Sequence, residues 1–238
     1  MNQLSRYDNC NVEGVPYVKI DLHKIEEVYR QCQTENLTLD VATGSFIIKE
    51  LAKECRENKT NDTKWRRFLD EIYHEMKALN LVPLQKSLNC MIDLYGKRHE
   101  FKKMISLFRE MKKNGTVDTV TFNCLLKHTG GKSMEEMMKF YALMKKMNIP
   151  PNRKTFESIA FGLTRPNATS SKNLPSHVNT ILADLLVLSV SSKRVTTSLL
   201  KLWSKFDTEE VAQAVKSVEA YRTAPDDWKS PPSLFLLM

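Results

Sequence analysis

Five cysteines, Cys10, Cys32, Cys55, Cys90 and Cys124, are the most reactive side chains in this chain of 238 residues. A zinc ribbon or a redox centre would pair them as C-x-x-C, and a disulfide framework would use an even number. These are odd in number, far apart and never so paired, which points to a reducing interior. Cys90 and Cys124 read as small buried residues rather than nucleophiles. Gly130-Gly131-Lys132-Ser133 ends like a phosphate loop but lacks the upstream glycine and strand. No H-E-x-x-H helix or G-x-S-x-G elbow is present, and Asp226-Asp227 is a carboxylate pair without partners between Pro225 and Pro231-Pro232. His99 and His128 each neighbour Lys or Arg and read as surface residues. No enzyme and no cofactor or metal is expected from these residues.

What the side chains do offer is positive charge. Thirty-six basic residues stand against 28 acidic ones, a formal net charge of +8. Such a balance favours polyanionic partners through long-range attraction and carries no information on fold. A membrane partner is not expected. The most apolar run, Ile181 to Val190, is too short to span a bilayer and contains Asp184. Met1 to Asp21 lacks an apolar core and carries Asp8, Glu13 and Asp21, unlike Arg-rich, acid-poor transit peptides. The sequons beginning at Asn36, Asn58 and Asn167 read as chance matches.

Helical periodicity dominates the middle of the chain. Leu88, Met91, Ile92 and Tyr95 share one helical face, and after Gly96 the pattern restarts with Phe101, Met104, Ile105, Phe108 and Met111. Asn114-Gly115 supplies a helix stop. The hairpin then recurs. Leu88-Asn89-Cys90-Met91-Ile92 corresponds to Phe122-Asn123-Cys124-Leu125-Leu126, 34 residues later. Met104, Phe108 and Met111 correspond to Met137, Tyr141 and Met144, 33 residues later. A third first helix opens at Arg153 with Phe156, Ile159, Ala160 and Leu163 on its face. Upstream, Thr38-Leu39-Asp40 precedes a helix from Val41, and its partner runs from Trp65 to Met76 across a polar insert, Glu54 to Thr63. Asp21 to Glu35 reads as the second helix of an incomplete hairpin. A period near 34 is that of helix–turn–helix solenoids. The rival is a helical bundle with chance likeness between faces. The same polar residue returning in register with the same flanks favours the solenoid.

Three stretches carry a resemblance to a known family. Asn89-Cys90-Met91-Ile92-Asp93-Leu94-Tyr95-Gly96-Lys97 resembles the first helix of a pentatricopeptide repeat. Leu107-Phe108-Arg109-Glu110-Met111-Lys112-Lys113-Asn114-Gly115 resembles its second helix and turn, and Thr119-Val120-Thr121-Phe122-Asn123 the opening of the next repeat. The likeness is good over 85–152, fair over 153–164, weak over 21–84 and absent beyond Arg165. It implies an all-α, right-handed α-solenoid with a C-terminal helical cap. The expected organisation is an extension over 1–20, repeats over 21–164, capping helices over 165–223 and a disordered tail over 224–238.

The resemblance also implies a function: binding of single-stranded RNA in an organelle, one base per repeat. The reading positions fall on Asn89 with Asp118, and on Asn123 with Asn152. Asn with Asp favours U in the family, and Asn with Asn favours C or U. Val120 fits the apolar position that sandwiches a base, whereas Lys86 and Lys154 at the same position do not. Ser45 stands at the reader position of the long unit, but that unit ends in Leu84, which cannot hydrogen-bond a base. Glu157 in the third unit would repel phosphate. For each Asn the competing role is local, satisfying backbone groups near a helix start.

The expected activity is that of a mitochondrial RNA-binding adaptor in RNA processing, stability or translation, with ribosomal or RNA-processing proteins as further partners. The alternative is a protein-binding solenoid such as a mitochondrial ribosome subunit or assembly scaffold. Lys97, Arg98, Lys102, Lys103, Lys112, Lys113, Lys145 and Lys146 are the candidates for phosphate contact, against a solvated outer face as the competing role.

Overall fold

Nine bounded helices are found among the described residues of the computed structural model, which describes 20–57, 62–164 and 173–188 with 195, 198 and 199, the last three also helical. They are α1 (Leu22–Thr34), α2 (Val41–Glu57), α3 (Asp62–Ala78), α4 (Gln85–Lys97), α5 (Phe101–Lys113), α6 (Thr119–Thr129), α7 (Met134–Lys146), α8 (Arg153–Leu163) and α9 (Leu174–Val187). No strand occurs among these residues, and none of their helices is long and apolar enough to cross a membrane. The chain divides into two compact units, Met1–Leu84 and Gln85–Met238. The extension over 1–19, the linker at 165–172 and the tail lie outside the described residues, as does most of the expected cap beyond α9.

The helices end where local chemistry stops them. Asn36, Asn80, Gly115 and Asn148 follow α1, α3, α5 and α7, and each has a positive φ of 55–68°. Asparagine and glycine tolerate this left-handed conformation better than other residues. In each case the next N–H reaches back five residues, as in Leu81 to the Met76 carbonyl (2.8 Å) and Thr116 to the Met111 carbonyl (2.9 Å). This closes orphan carbonyls at the helix end. His99 ends α4 in the same way, with φ of 61°.

In the first unit the expected polar insert is mostly absorbed into helices. Ile47, Ile48, Leu51, Ala52 and Cys55 are buried along one stripe of α2, so the apolar face pulls the helix on to Glu57. The following helix begins at Asp62, leaving 58–61 outside the described residues. Both helices reach 17 residues, against 13 for α4 and α5. Tyr29 of α1 packs on Phe68 of α3 at 5.3 Å and donates its hydroxyl proton to Glu75. Burial and that carboxylate together push the Tyr29 phenol well above its ordinary pKa.

The second unit is a solenoid of helix pairs. Helices α4, α6 and α8 lie side by side as one layer, α5 backs α4, and α7 packs on α6 and α8. Phe108 of α5 meets Phe122 of α6 and Phe140 of α7 edge-on, each at 5.6 Å. Fully burying a ring such as Phe122 contributes about 1.5–3 kcal/mol. That burial offsets the weak helix propensity of the β-branched start Thr119-Val120-Thr121. Helix α9 covers α8, joining Val178, Ile181 and Leu182 to Phe156, Ile159 and Leu163 in one core cluster. Asp184 ties it to α7 through the Tyr141 hydroxyl (2.7 Å) and Lys145 (2.9 Å).

Gly130 is needed for this stacking. A methyl built there would lie 2.9 Å from the Gly162 Cα and 3.0 Å from the Leu126 carbonyl oxygen, both backbone atoms. At Gly131 the nearest atom would be 3.8 Å away. Gly130→Ala is therefore expected to lower unfolding free energy by about 1–3 kcal/mol through overpacking. Gly131→Ala should be neutral, or stabilising by about 0.4–1 kcal/mol. Urea unfolding followed by circular dichroism checks the contrast, and equal losses from both would refute the close helix contact.

Candidate functional site

The first backbone N–H groups of a helix have no acceptor within it. At α6 the answer is Asp118, whose extended backbone (φ −134°, ψ −175°) turns its carboxylate back over the helix start. Its Oδ1 accepts from the Thr121 N–H at 2.8 Å, and the Thr121 hydroxyl oxygen accepts from the Asp118 N–H at 3.2 Å. At α8, Asn152 does the same with Thr155, at 3.1 and 2.9 Å. These are reciprocal capping boxes.

The caps also face the preceding repeat. Asn89 of α4 donates from Nδ2 to Asp118 Oδ1 (3.2 Å), and Asn123 of α6 donates to Asn152 Oδ1 (3.3 Å). The structure thus brings together both residue pairs expected from the sequence. A buried threonine completes each one. The Thr121 hydroxyl lies 2.7 Å from Asn89 Oδ1, and the Thr155 hydroxyl 2.7 Å from Asn123 Oδ1. Thr121 and Thr155 have no exposed surface and were not singled out from sequence. Their signal was nonetheless present: a capping residue followed three positions later by Thr recurs at Asp40/Thr43, Asp118/Thr121 and Asn152/Thr155. Asp40 accepts from the Thr43 N–H at 2.6 Å, and the Thr43 backbone and hydroxyl hold its carboxyl below the ordinary value.

The two slots differ in access. Asn89 is only 6% exposed and Asp118 is half-buried, whereas Asn123 is half-buried and Asn152 exposed. Val120 stands in the open in the first turn of α6, as do Lys86 and Lys154 at the equivalent places. Ser45 occupies the corresponding position on α2 but is 3% exposed, and its hydroxyl accepts from the Leu84 N–H at 2.7 Å. Glu157 is held by Arg153 on its own helix at 2.9 Å.

One helical turn past Asn89, the carboxylate of Asp93 accepts from His128 Nε2 (2.7 Å) and Lys127 Nζ (3.0 Å). His128 is thus not the surface residue expected from its neighbours. Its side chain is 10% exposed and packs where Gly96 has no Cβ to obstruct it. Cys90 and Cys124 are half-buried, less enclosed than expected from sequence, while desolvation, and then Asp93, push the Cys124 thiol up to about 12. Among the candidates for phosphate contact, Lys145 pairs with Asp184 and Lys103 with Glu100. Lys102, Lys112, Lys113 and Lys146 are exposed on the second helices. Among the described residues no group of His, Cys, Asp and Glu could hold a metal ion.

Residues 85–130 match the PPR repeat family. A chloroplastic pentatricopeptide repeat-containing protein of Arabidopsis thaliana is 34% identical over 111 residues, which is 46% of this chain and 11% of the relative. Among solved structures, the pentatricopeptide repeat protein PPR10 in complex with an 18-nt psaJ RNA element aligns at 14% identity and a TM-score of 0.52. That alignment covers 89% of this chain and 30% of the other. PPR10 from maize aligns at 14% identity and a TM-score of 0.50, covering 88% and 33%. The chain thus spans a third or less of each of these proteins, and the structural likeness shows the fold alone. Together with the repeating motifs, these matches show pentatricopeptide-type repeat sequence over residues 85–130 and an all-α fold similar to that of solved pentatricopeptide repeat proteins.

Because one side chain both caps a helix and faces the neighbouring Asn, its two duties can be separated. Asp118→Ala should cost about 1 kcal/mol of stability through the lost cap, and Asp118→Asn only a few tenths, since Asn caps as well as Asp. Thermal and urea unfolding of the two variants measure this. An alanine variant as stable as the asparagine one would mean that Asp118 does not cap α6.

Proposed function

We propose that this chain binds single-stranded RNA as an organellar adaptor in transcript processing, stability or translation, reading bases with Asn89/Asp118 and Asn123/Asn152. The observation that carries the reading is the same hydrogen-bonded pair recurring at two successive repeat junctions. An Asn amide offers donors and an acceptor, and a carboxylate offers acceptors only, so the Asn–Asp pair and the Asn–Asn pair present different patterns to a pyrimidine edge. Val120 is placed to contact the face of a base, and the net charge of +8 favours the phosphate backbone. The RNA complex of PPR10 supports the choice of ligand class. The chloroplastic relative supports an organelle, with the mitochondrion the compartment that we favour. The adaptor would act by sterically protecting RNA or presenting it to other factors.

The near-complete burial of Asn89 favours a second reading, a protein-binding solenoid such as a ribosomal or assembly subunit. Energetics bear on the choice. Stacked base contacts contribute about 1–3 kcal/mol each. Two slots then supply about 2–6 kcal/mol, whereas micromolar binding needs about 8. Backbone contacts from lysines must make up the difference, or a partner must.

Binding of U-rich, C-rich and A-rich oligonucleotides to the wild type and to Asn89→Ala/Asn123→Ala separates the readings. The adaptor should prefer pyrimidines, lose that preference in the double variant, and weaken steeply as salt is raised. Equal affinity for all three oligonucleotides, unaffected by the substitutions, would transfer the assignment to the protein-binding solenoid.

A further inference from the structure

The geometry points to Thr121 and Thr155 as positioning residues that fix which hydrogen-bonding atoms of Asn89 and Asn123 face a base, and so maintain the distinction between uracil and cytosine that the cap residues Asp118 and Asn152 make. This inference rests on the base-reading role proposed above and names what its selectivity depends on.

The polarity of each slot is dictated from the helix backbone outward. The Thr155 N–H can only donate, so the Asn152 atom 3.1 Å away must be the carbonyl oxygen Oδ1. That oxygen can only accept, so Asn123 turns its Nδ2 towards it, at 3.3 Å. The Asn123 carbonyl oxygen is thereby directed at the Thr155 hydroxyl, 2.7 Å away. Thr155 Oγ1 accepts from the Asn152 N–H at 2.9 Å, and its single proton has two acceptors in reach, Asn123 Oδ1 at 2.7 Å and Asn152 Oδ1 at 3.2 Å; the latter already receives two donors, so the proton goes to the nearer Asn123. In the other slot the Thr121 hydroxyl has two acceptors in reach, Asn89 Oδ1 at 2.7 Å and Asp118 Oδ1 at 2.8 Å. Asp118 Oδ1 already receives the Thr121 N–H and the Asn89 amide. Asn89 Oδ1 has no other donor among the described residues, so the proton goes there. Both threonines are fully buried, and bulk water cannot replace their hydroxyls.

The atoms left over differ between the slots. At Asn123/Asn152 they are the second Asn123 Nδ2 proton and the Asn152 amide protons, all donors. These match the acceptors N3 and O2 of cytosine. At Asn89/Asp118 they are an Asn89 Nδ2 proton and the Asp118 Oδ2 oxygen, a donor beside an acceptor. This matches uracil, whose N3–H donates next to carbonyl oxygens. With the threonine hydroxyl replaced by a methyl, Asn Oδ1 is left without its donor. The amide then swings out of the pair, exposes Oδ1, and each slot presents donors and acceptors alike.

The test uses the full chain and ten-nucleotide RNAs of adenosine with UU, UC, CU or CC at the centre. Wild type should distinguish C from U at each central position. Thr155→Val should reduce the distinction at the Asn123/Asn152 nucleotide alone by about fivefold, the worth of one hydrogen bond. Thr121→Val should do so at the other nucleotide alone, and Thr→Ser at either site should restore it. Three results overturn the inference while leaving base reading intact: wild-type selectivity in the valine variants, no rescue by serine, or loss at both nucleotides in either variant. A wild type that prefers pyrimidines but does not separate C from U likewise removes only this inference. A wild type with no base preference removes the reading above and this inference with it. If a valine variant does not fold, NMR of the wild type decides the point. Nuclear Overhauser contacts from the Nδ2 protons of Asn89 and Asn123 to Asp118 and Asn152 support it, and freely turning amides overturn it.

Discussion

Each inner helix of the stack starts with backbone N–H groups that its own turns cannot satisfy, and the way α6 and α8 meet this need shapes their surroundings. Asp118 and Asn152 are held in extended conformation to reach back over their helices. A side chain so held has a fixed direction, and its acceptor oxygen also faces the first helix of the repeat before it. Asn89 and Asn123 meet these oxygens because the helices are stacked one repeat apart. The candidate site is thus a property of the junction between repeats and belongs to neither hairpin alone.

That dependence couples the site to packing. The Asn–cap pairs are aligned only while α4, α6 and α8 keep their spacing, which Phe122, Phe156 and Gly130 set through buried contact. Thr121 and Thr155 tie local capping to the contact between repeats, since each hydroxyl touches both the cap residue and the asparagine. Where no earlier first helix is described, at α2, the equivalent Thr43 is exposed and Asp40 serves the helix alone.

Much of this was legible in the sequence because it is local. Helix faces at spacings of three and four, the stop at Asn114-Gly115 and the return of Asn89 as Asn123 follow from side chains close in the chain. Three features were not legible for the opposite reason. His128 lies beside Lys127 in sequence and was read as exposed, yet a buried carboxylate 35 positions earlier draws it in. The segment Glu54 to Thr63 is polar enough to suggest a loop, but the stripe ending at Cys55 carries α2 through its first part. Thr121 and Thr155 are β-branched residues at helix starts, ordinary in type, and only stacking shows that each faces an asparagine of the previous repeat.

The same constraint explains why the paired arrangement is confined to two junctions among the described residues. At Ser45 the slot is closed from within, because Leu84 brings no side-chain oxygen and its backbone N–H takes the serine hydroxyl as acceptor. At Glu157 the reader position carries a charge already matched by Arg153 one turn earlier. The paired arrangement needs an amide whose polarity is imposed from the next helix start. That requires a capping residue with a side-chain oxygen, a threonine three positions on, and an asparagine opposite both. Among the described residues only the junctions at Asp118 and Asn152 combine all three, and they are adjacent in the stack, so the two slots proposed to read bases would face neighbouring nucleotides.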